Sequence, residues 1–240
     1  MKDETRLSIA ANIERYGYHA VVVAGGATPR WVYTIGLCET VGVELLFAGG
    51  VYYLKDEVLE LMEQVSKSSF DDAECSQAQR IASLGVEVVK VDAGWSERLL
   101  LGVQGYYGTM KPALQIVPLN YRTIDTPRAD LPFSRETAGG FRWLDEPWPY
   151  DIPSKSEAMV DIGIAFGHPA TYAARWEEDY WEIFSVPQSE IDREQARLMP
   201  LGVLLTSDPT LEEVVTLSVE GTSARAPGHG WIAGGRESSS

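Results

Sequence analysis

The chain has 240 residues, 45% of them hydrophobic and seven of them tryptophan, so it can bury one large core or two small ones and is not a disordered polypeptide. A net charge of −15 argues against nucleic acid and anionic membrane surfaces as partners, because both need clustered Lys and Arg. No apolar run approaches the roughly 18 residues of a membrane span, and the charged start MKDETRLSIAANIERYG lacks an apolar signal core, so a cytoplasmic protein is expected.

The first predicted element is a helix from about Glu4 to Tyr16. Leu7, Ala10, Ala11 and Ile13 recur at helical spacing, and Gly17 suits the left-handed position after a helix. HAVVVA and RWVYTIG then read as two strands around the turn cluster GGATP. Its glycine pair is not a dinucleotide fingerprint, since β-branched and aromatic residues follow it, and no Gly-Lys-Ser/Thr makes it a Walker loop. His19 opens the first strand without a carboxylate or second histidine at ligand spacing. It is a structural strand-edge residue or one wall of a cleft. VELLFAG is a third strand ended by Gly49 and Gly50, with Glu39 and Glu44 read as loop charges on either side of Gly42.

LKDEVLELMEQVSKS is the clearest helix, with Val58, Leu61, Met62 and Val65 on one face and Asp56, Glu57, Glu60 and Glu63 in water. A further helix is expected over Ala73 to Leu84, stopped by Gly85. VEVVKV and PALQIVPL are strands around a segment carrying Trp95, Tyr106 and Tyr107. Those rings either fill a core or line a cleft that Gly102, Gly105 and Gly108 allow a ligand to approach. Cys38 and Cys75 have neither metal spacing nor a disulfide framework and read as free thiols. No catalytic constellation, metal set or cofactor motif emerges.

Residues 126–156 carry five prolines, from Pro127 to Pro153, with little apolar periodicity; they read as a linker whose Trp143 and Trp148 pack on a neighbour. Beyond it AMVDIGIAFG, TYAARWEE and YWEIFSV are short strands. LMPLGVLLTSDPTLEEVVTL is helical and breaks at Asp208-Pro209, an N-cap followed by a proline at the first helical position. Residues 234–240 form a frayed polar tail. This order implies an α+β chain of two small mixed sheet-and-helix domains, 1–125 and 157–233.

Charge is unevenly divided, with a net of −4 over residues 1–144 and −11 over residues 145–240. RWEEDYWEIFS concentrates it: Glu177, Glu178 and Asp179 occupy a turn position between Trp176 and the pair Tyr180-Trp181. Such a turn is either a solvated hairpin or the surface that meets a basic protein partner, with charge for steering and aromatics for anchoring. The rival expectation is an enzyme or small-molecule binder with a cleft at His19, Tyr33, Tyr106 and Tyr107.

The pieces YGYHAVVV, WVYTIGLCETVGVELLFAG and YYGTMKPALQIVPLN occur in that order and resemble a bacterial family known as domain of unknown function 4262. That family has no established activity, so the resemblance implies a domain boundary and no reaction. AMVDIGIAFG, ARWEEDYWEIFS, MPLGVLLTSDPTLEEVVTLSVEGTSA and the late Trp231 are similar to the domain of unknown function family 2185, which includes immunity proteins of bacterial toxin systems. This second resemblance implies a protein that binds and blocks a cationic toxin domain rather than one that catalyses.

Overall fold

The β-branched and aromatic runs of the N-terminal half become strands because both faces of their sheet find cover. The structure, a computed structural model, describes residues 1–68, 78–226 and 229–234. They fall into two units, each with a mixed six-stranded sheet and its own helices, which is an α+β architecture. One unit comprises Met1–Ala24, Arg30–Arg122 and Thr126–Ala138; the other comprises Gly25–Pro29, Thr123–Asp125 and the residues from Gly139 onward.

In the first unit, helix α1 (Asp3–Tyr16) ends where Gly17 takes φ +84° and returns its N–H to the Ile13 carbonyl at 2.8 Å. Only Ile9 of this helix is fully buried and Leu7 is 71% exposed, so the apolar stripe is narrower than its spacing predicts. The unit continues through β1 (His19–Val23), β2 (Trp31–Ile35), α2 (Cys38–Val41), β3 (Glu44–Ala48) and α3 (Lys55–Ser66). After it come β4 (Gln79–Ile81), β5 (Val86–Lys90), α4 (Ala93–Leu99), α5 (Leu101–Tyr107) and β6 (Ala113–Pro118). The strand order is β1-β2-β3-β6-β5-β4, with β3 and β6 parallel and the other neighbours antiparallel.

On one face Leu45, Phe47, Val88 and Ile116 share a core with Val58, Met62 and Val65 of α3. On the other, the Trp31 indole donates to the Leu99 carbonyl at 2.9 Å, and Gly102 N–H donates to the Tyr33 hydroxyl at 3.0 Å. Cover on both sides explains why β2, β3 and β6 are buried throughout rather than alternating. Gly102 is needed for that approach, since a Cβ there would run into the Tyr33 hydroxyl.

Glu44, expected in a loop, is instead a fully buried residue of β3. Its carboxylate accepts from the Thr34 hydroxyl at 2.6 Å, Gly36 N–H at 2.9 Å and Cys38 N–H at 3.4 Å, while the Thr34 oxygen accepts Leu45 N–H at 2.8 Å. Gln115, equally buried in β6, clamps the segment that follows: its Nε2 donates to Pro127 O at 3.0 Å and its Oε1 accepts from Ala129 N–H at 2.9 Å.

The helix expected over Ala73–Leu84 is corrected. Residues 73–77 lie outside the described residues, and β4 forms a hairpin with β5 through a 3-10 turn at Ala82–Leu84, closed by Gly85 at φ +64°. Pairing with VEVVKV outweighs the weak helical spacing of QRIASL. The aromatic segment is helical: Asp92 caps α4 by accepting Gly94 N–H at 2.9 Å, and Trp95 is fully buried.

The second unit holds β7 (Glu157–Val160), α6 (Ile162–Ala165), β8 (Tyr172–Arg175), β9 (Tyr180–Phe184), β10 (Arg197–Pro200), α7 (Leu201–Ser207), α8 (Glu212–Val215), β11 (Thr222–Ala224) and β12 (Ile232–Ala233). Its order is β10-β7-β9-β8-β11-β12, with β7 and β9 parallel. AMVDIGIAFG, expected as one strand, stops at Val160 because Asp161 caps α6, accepting Ile164 N–H at 3.2 Å. Asp208 caps the turn at Pro209 as its sequence suggests, accepting Thr210 N–H at 3.1 Å. Within the stretch 126–156, Ala129, Ala138 and Phe141 are fully buried. Trp143 donates to Gly202 O at 3.0 Å, and its ring meets those of Trp148 and Tyr150 edge-on at 5.0 and 6.3 Å. Residues 235–240 of the frayed tail lie outside the described residues.

Candidate functional site

Two places on the described residues carry chemistry, one in each unit. In the second unit it is the turn joining β8 and β9. Register sets it: Arg175 pairs with Trp181, and Trp176 N–H closes the hairpin on Tyr180 O at 3.0 Å. The Arg175 guanidinium then donates to the carbonyls of Glu177, Glu178 and Leu217 at 3.2, 2.7 and 2.9 Å, and lies 4.7 Å over the Trp181 ring. Because this cation bonds to backbone, the side chains of Glu177, Glu178 and Asp179 remain exposed. Among the described residues, no lysine or arginine side chain forms an ion pair with them.

Strand pairing adds two acidic residues that are distant in sequence. Glu157 N–H bonds Asp179 O at 2.9 Å, and Glu220 N–H bonds Arg175 O at 2.7 Å. Burial, and then the nearby Asp179 charge, push the Glu157 carboxyl above its ordinary value. Burial, and then Glu182 and Glu177, raise the Tyr180 phenol. The turn end is therefore a surface where exposed carboxylates gather, with the Arg175 guanidinium turned to backbone carbonyls and Arg193 near enough to oppose the rise at Tyr180.

Its six expected contact residues do not all belong to it. Trp176 is 41% exposed and Tyr180 half-buried, but Trp181 has no exposed surface. Every residue of β9 after Tyr180 is buried, and the Trp181 ring lies beneath Arg175. Trp181 is a core residue, not a partner-binding one. Glu157 and Glu220 were invisible to sequence reading, because only the strand register brings them to the turn.

In the first unit the expected cleft of His19, Tyr33, Tyr106 and Tyr107 does not assemble. Tyr33 is buried, its hydroxyl accepting from Gly102. Tyr107 donates to Glu39 at 2.8 Å with Lys111 4.8 Å from its ring, while Tyr106 sits under Arg6 at 5.6 Å. His19 alone lines a cavity, of about 570 Å³, with Asn12, Tyr18, Thr40, Glu63 and Lys67 among its other walls. The Asn12 amide donates to His19 Nδ1 at 2.8 Å, which leaves the imidazole proton on Nε2. The sequence signal for this pair was the helix stop at Gly17, which folds the strand start back along α1.

Burial lowers the His19 pKa below its ordinary 6.5. The unfolded chain therefore takes up this proton more readily than the folded one. Folding stability from His19 is complete above about pH 6.5 and is lost as pH falls through the lower folded value. Urea midpoints measured from about pH 7.5 down to about pH 5 should drop more steeply for the native protein than for His19→Gln; equal slopes would refute the assignment.

Cys38 is half-buried, and burial pushes its thiol up to about 11, with Tyr107 opposing and Glu44 reinforcing, so it is protonated at neutral pH. Cys75 lies outside the described residues. Ser185 donates to Asp161 directly at 2.8 Å, the same carboxylate that caps α6, and His168 Nδ1 lies close by, all three polar atoms being within 2.9 Å of where a Cβ on Gly163 would stand. Among the described residues, no three His, Cys, Asp or Glu side chains are grouped to hold a metal ion, and no helix is long and apolar enough to cross a membrane.

Residues 12–122 match the model of a family described as Domain of unknown function (DUF4262). The match begins inside α1 and ends just beyond β6, so it covers both the cavity and the buried Glu44. No curated protein and no solved structure matches the chain.

Proposed function

We propose that the protein is a non-enzymatic, cytoplasmic protein-binding protein whose second unit captures a cationic partner, in the manner of an immunity protein that neutralises a bacterial toxin domain. The observation that carries this reading is the turn end of β8 and β9, where Glu177, Glu178 and Asp179 stand exposed beside Trp176. A net charge of −11 over residues 145–240 speeds encounter with a basic surface. Trp176 supplies an aromatic anchor of the kind that dominates interface energies. The three carbonyls held by Arg175 keep the turn rigid before binding, which reduces the ordering cost of association.

The test is calorimetry and stopped-flow association with the purified product of the neighbouring gene. Trp176→Ala should weaken binding by about 2 kcal/mol. Reversing Glu177 and Glu178 to lysine should slow association about tenfold at low salt, and the difference should shrink as salt screens it. Absence of binding at low salt, or association indifferent to both changes, would overturn the reading.

A further inference from the structure

We infer that the cavity beside His19 binds a small, neutral, polyhydroxylated molecule of monosaccharide size. Its volume of about 570 Å³ falls in the range of small-ligand sites. The hydrogen-bonding inventory of the walls gives the chemistry. Thr40 donates its hydroxyl proton to Leu37 O at 3.0 Å and Ser66 donates to Glu63 O at 2.8 Å, so both oxygens remain as acceptors. Asn12 uses its amide N–H on His19 and keeps its carbonyl oxygen available. His19 contributes the complementary donor, Nε2–H, and burial keeps the ring neutral. Acceptors and a donor on the walls of one cavity suit hydroxyl groups, each of which donates and accepts at once.

Charge narrows the class. The two ionised walls, Glu63 and Lys67, are already joined by a 2.6 Å ion pair. Their opposite charges offset one another within the pair, so this wall presents no net charge to favour an anion or a cation, and a neutral ligand needs none. The rings of Tyr16 and Tyr18 complete the walls, Tyr16 being 61% exposed, and offer apolar surface to the C–H face of a sugar ring. This site lies wholly in the first unit and is independent of partner capture by the second.

Saturation-transfer NMR on the full chain with glucose, galactose and mannose tests the assignment, with gluconate and glucosamine as charged counterparts. Transfer to at least one neutral sugar is expected, and the charged analogue of that sugar should bind more weakly. Thr40→Val removes an acceptor while conserving shape, and His19→Phe removes the donor; each should weaken binding severalfold to about tenfold. Circular dichroism checks that the variants fold, with the exposed-helix change Ser66→Ala as a third arm should one fail. No transfer to any neutral sugar, transfer undiminished in folded variants, or preference for a charged analogue would overturn the proposal.

Discussion

Replacing Glu44 by alanine should destabilise the first unit by about 3–5 kcal/mol, because a buried donor set loses its common acceptor. The Thr34 hydroxyl, at 2.6 Å from the carboxylate, and the Gly36 N–H, at 2.9 Å, have that group as their partner in a region with no exposed surface on either Thr34 or Glu44. Thr34 in turn receives Leu45 N–H, so its hydroxyl cannot simply rotate away without leaving a strand amide unsatisfied. Glu44→Gln retains one carbonyl oxygen but points amide protons at existing donors; its loss should be intermediate, about 2 kcal/mol. Urea unfolding of the full chain reads both, as a lower midpoint at unchanged slope. A midpoint shift for Glu44→Ala worth less than about 1 kcal/mol would mean that water replaces the carboxylate, contrary to this account.

A second large effect separates two tryptophans only five residues apart. Trp181→Ala should cost about 3–5 kcal/mol, since the indole is wholly enclosed and its removal leaves a cavity under Arg175. Loss of the ring also frees the guanidinium that holds the Glu177 and Glu178 carbonyls, so the turn should loosen with the core. Trp176→Ala, at a position 41% exposed, should change stability by no more than about 0.5 kcal/mol. Thermal and urea unfolding of both variants decide the matter. Equal destabilisation by the two would contradict their difference in exposure, and a silent Trp181→Ala would contradict its burial.

Elements whose signal is local were legible in the sequence. HAVVV, WVYTI and ELLFA are too β-branched and aromatic to be read otherwise, and Gly17 and Asp208 punctuate their helices by backbone chemistry that needs no tertiary partner. What failed depended on pairing. QRIASL has helix-compatible spacing and becomes a hairpin arm only because VEVVK lies beside it. Glu44 looks like a loop charge until Thr34 and Gly36 are known to face it. The acidic turn was legible as residues 176–179, yet Glu157 and Glu220 join it by strand register alone, and burial of β9 beyond Tyr180 withdraws Trp181. Of the cleft expected at His19, the histidine was found and its neighbours were not, because α1, α2 and α3 supply them from separate parts of the chain.

The clamp made by Gln115 bears on where this chain can be cut. A fragment that stops at residue 122, the end of the family match, discards both Pro127 and Ala129. It would enclose a primary amide in the middle of β6 with its carbonyl and amino ends both stranded, a worse situation than shortening an ordinary tail. An expression boundary drawn at Ala138 instead of at the match keeps that amide satisfied, and with it the register of the strand on which β3 and β5 are built.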